Sequence, residues 1–129
     1  MNDPIFIGAR IYRGSSYGPR HPLSIPRVPT VTDLCRTLGW LTDTQYRTSP
    51  CAKPSALMNF HTPAYIAALQ RAEATLQADP AFDLGTLSNP VFPEVYRRPA
   101  TAAGGGLLAA EHVRAGGVAY NPGGGTHHG

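Results

Sequence analysis

Apolar positions along the chain come in short blocks whose spacing changes from one block to the next. Residues 5–12, IFIGARIY, are rich in β-branched and aromatic side chains and lack helical spacing, which predicts a buried strand. Residues 13–29 then break into prolines, glycines and arginines, a loop too long for a simple turn and of the kind that is functional or disordered in compact domains. In TVTDLCRTLGWL, Val31, Leu34, Cys35 and Leu38 recur at helical spacing, predicting an amphipathic helix that Gly39 ends. The following connection mixes its signals, with a short strand expected over residues 57–60. HTPAYIAALQRAEATLQADP is a clear helix, with Thr62 as N-cap, Pro63 in the first turn and Pro80 as its stop. AFDLGTLSNPVFPEVYRRP reads as an irregular loop. ATAAGGGLLAAEHVRAG predicts a helix with a face of Leu107, Leu108, Ala110 and Val113; its three glycines imply close backbone approach, or else a kink or break. Residues 116–121, GGVAYN, end as a short buried strand feeding a glycine loop. A strand, then helices, then a strand with a loop at its carboxyl end predicts an α/β sheet whose sites gather beyond the strand ends.

Composition narrows this picture. A chain of 129 residues with 42% hydrophobic content has room for one small core, while 14 Gly and 13 Pro predict many loops that need partners. The formal charge is only +3 and the arginines are scattered, so no direct nucleic-acid partner is expected. Cys35 and Cys51 form neither a CxxC nor a disulfide framework, which fits a reduced, cytoplasmic compartment. No apolar run approaches the roughly 18 residues of a membrane span, and MNDPIFIGAR does not read as a signal peptide, so no membrane partner is expected.

Candidate chemistry concentrates in YNPGGGTHHG, where three glycines run into His127 and His128. Glycines let the backbone approach a ligand, and neighbouring imidazoles can address one reacting atom from different sides, one as general base and the other as electrostatic partner. An exposed polar terminus, a tag-like tail or half of a metal site would also account for the pair. Consecutive residues rarely chelate one ion and no Asp-x-His or Cys pair stands nearby, so no metal ligand is assigned within this chain.

Four segments, YGPRHPLSIPR, NFHTPAYIAAL, NPVFPEVY and YNPGGGTHHG, occur in an order and spacing that resemble the amino-terminal part of the histone deacetylase superfamily, particularly its bacterial acetoin-utilisation and acetylpolyamine-amidohydrolase-like members. The glycine run followed by His-His is the most specific of the four. The resemblance implies an arginase-like open, mainly parallel sheet flanked by helices, incomplete in this chain. It implies a zinc-dependent hydrolase that removes acetyl groups from amines such as lysine side chains or polyamines. By position, His128 resembles the general base and His127 its electrostatic partner. Arg27 resembles the inner-cavity cation that helps hold or release acetate, and Gly124 and Gly125 are expected beside the substrate. Arg27 could instead satisfy loop carbonyls. Tyr17 and His21 resemble rim or loop-scaffold residues.

Two departures qualify the resemblance. Ser88 stands where many members carry an acidic residue that grips the substrate backbone. The family's zinc ligands, its catalytic tyrosine and the acids that orient the histidines are expected downstream of the pair. Residues 1–129 are therefore expected to be the amino-terminal portion of a single deacetylase-like domain, inactive alone, with Zn²⁺ in the full-length protein and a sheet edge prone to self-association. The alternatives are a non-catalytic binding module or pseudoenzyme that pairs with another chain, and a small structural domain with a disordered glycine-rich tail.

Overall fold

The computed structural model describes residues 3–125, so His127 and His128 lie outside the described residues. The chain is α/β: a three-stranded, wholly parallel sheet with helices around it. The strand β1 (Ile5–Gly8) is central and buried throughout, as a parallel strand covered on both faces should be. It is shorter than the expected 5–12. Gly8 ends it beneath the Tyr46 ring, where a Cβ would lie 2.8 Å from Tyr46 Oη. The chain then turns into a one-turn helix, α1 (Ile11–Gly14), which buries Tyr12 and aims Arg13 at both carboxylate oxygens of Asp33, 2.9 and 2.7 Å away.

The helix α2 (Arg27–Thr37) starts inside what the sequence predicts as loop, because Pro29 fits the first turn, where its missing N–H leaves no gap in the ladder. Gly39, at φ 72°, ends it as predicted: Trp40 N donates to Cys35 O at 2.9 Å and Gly39 N to Arg36 O at 3.1 Å, a Schellman closure. Its buried residues, however, are Pro29 and Thr32, while Leu34 and Leu38 are 54% and 48% exposed. The apolar stripe therefore does not mark the packed face. Asp33 and Arg36 hold the helix through ion pairs to Arg13 and Asp43, and Thr32 satisfies its hydroxyl on Val28 O.

Next comes β2 (Tyr46–Thr48), absent from the sequence reading because it is three residues long and mostly polar. Register rather than hydrophobicity defines it: Phe6, Ile7 and Gly8 pair with Tyr46, Arg47 and Thr48. The strand expected over residues 57–60 is instead the end of a helical turn, α3 (Pro54–Leu57), started by Pro54 and continued by the His61 N–H donating to Leu57 O.

The helix α4 (Pro63–Thr75) begins as predicted, with Thr62 Oγ1 accepting from Tyr65 N. It stops short of Pro80. Leu76 takes the left-handed conformation at φ 56°, its N–H still bonded to Ala72 O, and Pro80 instead opens a 3-10 turn that Asp79 caps. The segment between α4 and the last helix, expected to be irregular, supplies much of the core. Leu84, Phe92 and Val95 pack with Ala68, Leu69 and Ala72 of α4, and each large apolar side chain so buried contributes about 1.5–3 kcal/mol.

The last helix, α5 (Arg97–Arg114), is one continuous element despite its glycines. Its packed face is Ala100, Thr101, Gly104 and Gly105, not the predicted Leu107, Leu108, Ala110 and Val113. Close backbone contact selects that face. A Cβ on Gly104 would run into the Pro50 carbonyl, and one on Gly105 would sit 2.6 Å from Ser49 Oγ. Ser49 Oγ donates to Thr101 O at 2.6 Å, and Ala52 N to Ala100 O at 2.9 Å, fastening α5 to the residues that follow β2. The strand β3 (Ala119–Tyr120) pairs with Ile5 and Phe6 to complete the order β2-β1-β3. It lies within the predicted 116–121 but is not buried, since Tyr120 is 51% exposed along the sheet edge.

Candidate functional site

The glycine loop leaves β3 on the same end of the sheet at which β1 finishes, the carboxyl end, where parallel sheets build their sites. Gly124 N donates to Asn121 O at 3.1 Å, closing a turn. Gly123 lies flat against the Tyr12 ring, with no room for a Cβ, and Gly125 adopts φ 142°, a conformation that favours glycine. At Gly123 the missing side chain brings the backbone against the protein's own tyrosine.

Two cavities open beside this loop. The first, about 630 Å³, is walled by Tyr12, Tyr17, Phe60, His61, Arg98 and residues 123–125. The second, about 340 Å³, shares Tyr12, Arg98, Pro122 and Gly125 with the first and adds Arg13 and Arg27. Gly124 therefore borders one cavity and Gly125 both. Arg27, the first residue of α2, is exposed and lines only the second, and among the described residues its side chain makes no hydrogen bond or ion pair. Among the described residues it braces no loop carbonyl.

Tyr17, on the wall of the first cavity, and His21 form a scaffold. Their rings stack at 4.9 Å, and His21 Nδ1 accepts from Leu23 N while Nε2 lies 3.3 Å from Ser88 O. A carbonyl only accepts, so these partners set the neutral tautomer with its proton on Nε2. His21 thereby ties the 13–29 loop to the loop carrying Ser88.

Arg98, which lines both cavities, is a residue that pattern reading missed. Its guanidinium lies over the rings of Tyr12 and Tyr17, 5.7 and 5.1 Å from their centroids, and Nη1 donates to Tyr17 Oη at 3.3 Å. Its Nε is buried without a hydrogen-bond partner among the described residues. Burial pushes the Tyr12 phenol above its ordinary range, while nearby Ser49 and the Arg98 cation pull it back. The Ser49 hydroxyl commits its own proton to Thr101 O. The sequence reading leaves both arginines in a loop, and only the start of α5 at Arg97 puts them in the first turn of a helix, where they oppose its dipole. Glu73 accounts for one of them, accepting from Tyr96 N, Arg97 N and Arg97 Nε at 3.0, 2.9 and 2.8 Å. Among the described residues no carboxylate does the same for Arg98.

Among the described residues no group of three or more His, Cys, Asp or Glu side chains could hold a metal, so these residues do not by themselves fit a zinc ion. No helix among them is long and apolar enough to cross a membrane.

Comparison with known proteins agrees with this geometry. Over its whole length the chain is 33% identical to the acetoin utilization protein AcuC of Bacillus subtilis (strain 168), of which it covers 35%. It superposes with a TM-score of 0.93 and 30% identity on the crystal structure of an HDAC homolog from Aquifex aeolicus, and equally on an HDAC homolog complexed with SAHA, covering 99% of this chain and 36% of each of those. The chain thus spans about a third of the length of the relatives it matches. The histone deacetylase domain model matches residues 21–129, and with these motifs on this parallel sheet the chain belongs to the histone deacetylase family.

Proposed function

We propose that the protein to which this chain contributes hydrolyses acetyl-amide bonds, with acetyl-lysine, an acetylpolyamine or another small acetylated amine as substrate. The observation that carries the proposal is the glycine loop: it leaves β3 at the carboxyl end of the sheet, borders both cavities and runs directly into His127 and His128. In this reading His128 takes the proton from the attacking water and later delivers it to the leaving amine, and His127 stabilises the charge that develops. Gly124 and Gly125 allow the substrate to approach the backbone, and Arg27 adds positive charge to the second cavity. Any metal is held by residues other than those described, and the proton chemistry assigned to the histidines is independent of how it is held.

The test is release of acetate from an acetyl-lysine peptide by the full-length protein. His128→Ala should lower turnover by about 10²- to 10⁴-fold, as loss of a general base does, without changing zinc content. A parallel loss of zinc would make His128 a ligand instead of a base. A folded full-length protein that releases no acetate from any acetylated amine would favour the pseudoenzyme reading.

A further inference from the structure

We infer that Tyr12 and Asn121 are positioning residues, which hold the glycine loop from two sides and thereby set how His127 and His128 are presented. The consequence for catalysis rests on the hydrolase reading above; the grip on the loop rests on geometry.

The first two glycines of the loop meet different side chains. A Cβ on Gly123 would run into Cε2 and Cζ of the Tyr12 ring and stand 2.8 Å from its Oη. Gly124 meets Asn121 instead: its N–H donates to Asn121 O at 3.1 Å, and a Cβ there would stand 2.8 Å from Asn121 Nδ2. Such a loop cannot slide along its path unless one of these two side chains yields. Neither is free to do so. Tyr12 is buried on α1, with Ser49 beside its hydroxyl and the Arg98 guanidinium 5.7 Å from its ring centroid. Ser49 is fixed in turn, its Oγ donating to Thr101 O of α5 at 2.6 Å. The Asn121 amide is wedged between two glycines, since a Cβ on Gly105 of α5 would lie 3.1 Å from both Nδ2 and Oδ1. The loop is thus braced against α1, which follows β1, and against α5, which precedes β3.

Asn121 holds this place at a cost. Its Oδ1 is buried without a hydrogen-bond partner among the described residues, and an unpaired buried acceptor lowers stability. Departures of this kind from a satisfied interior collect at functional sites. The link to chemistry is short: only Thr126 stands between Gly125 and His127, so a displaced loop carries the imidazoles with it. Misplacing a reacting group by about 1 Å lowers turnover by about 10²-fold.

The experiment uses the full-length protein and the acetyl-lysine peptide. Asn121→Ala and Tyr12→Leu should each lower kcat by roughly 10- to 100-fold with little change in KM, and Tyr12→Phe, which keeps the ring, should recover most of the loss. In a His128→Ala background the same substitutions should cost no more than about threefold, because residues that act through one base are not additive. An equal loss in both backgrounds makes the two residues merely structural and overturns the proposal, as does an unchanged kcat in both variants. Where Tyr12→Leu fails to fold, Asn121→Ala and the milder Asn121→Ser decide alone. Imidazole resonances of histidine-labelled protein, assigned with His127→Gln and His128→Gln, give a readout independent of turnover. Asn121→Ala should shift both, and Gly106→Ala, whose added Cβ meets nothing within 4 Å, should shift neither. Shifted resonances in a protein that releases no acetate uphold the positioning and refute the hydrolase reading. Resonances that Asn121→Ala leaves in place overturn the positioning itself.

Discussion

Replacing Gly104 by alanine separates helix propensity from tertiary contact. In an isolated helix the change is favourable, since alanine is better than glycine by about 1 kcal/mol in a helix interior. Here the added methyl group would meet the Pro50 carbonyl oxygen, with the Pro50 carbonyl carbon at 2.8 Å and Ala52 N at 3.0 Å. All three are backbone atoms, so no side-chain rotation relieves the overlap. Relief requires α5 and the 50–52 segment to separate, straining or breaking the bonds from Ala52 N to Ala100 O and from Ser49 Oγ to Thr101 O. Overpacking costs about 1–3 kcal/mol. Two weakened buried hydrogen bonds add about 0.5–1.5 kcal/mol each. Against the propensity gain of about 1 kcal/mol the net is a destabilisation of roughly 3 kcal/mol. Urea denaturation of the full-length protein, followed by circular dichroism, measures it as a lowered midpoint at unchanged slope. Gly106, whose added Cβ would meet nothing within 4 Å, is the contrast: its alanine variant should hold or raise the midpoint. A Gly104→Ala protein as stable as the wild type would refute the close packing of α5 against residues 50–52.

Two further outcomes are expected. Glu73→Ala removes the acceptor of two backbone N–H groups at the start of α5 and the partner of Arg97, and should cost about 1–3 kcal/mol; Glu73→Gln, which keeps an acceptor, should recover part of it, and equal midpoints for all three proteins would exclude the capping role. The Tyr12 phenol is raised by burial, so its neutral form is favoured more in the folded protein than in the unfolded one. Its contribution is therefore fully present below the unfolded value of 10.0 and is lost as pH rises through the higher folded value, so wild-type stability should fall more steeply above about pH 10 than that of Tyr12→Phe. Parallel pH curves for the two proteins would contradict the buried setting of that ring.

The sequence by itself determined the fold class, the family motifs, the central strand at Ile5, Gly39 as the end of α2, and Thr62 with Pro63 as the start of α4. These are decided by neighbours within a few positions: a continuous apolar run, a residue free to adopt positive φ, a hydroxyl that reaches its own helix. Tertiary structure alone decided which faces are buried. Leu34 and Leu38 keep a helical stripe but remain exposed, while α5 packs through Ala100, Thr101, Gly104 and Gly105 because only small side chains let it approach Pro50 and Ser49. The same holds for β2, whose three residues are a strand only because β1 presents unpaired backbone groups beside them. In the candidate site the glycine loop was legible in sequence, whereas the doublet at positions 97 and 98, which reads there as loop, enters the first turn of a helix only in the structure. Which arginine lacks a carboxylate depends on Glu73, 24 positions away from Arg97. That pairing is made where Glu73 of α4 reaches the first turn of α5, and no local pattern encodes it.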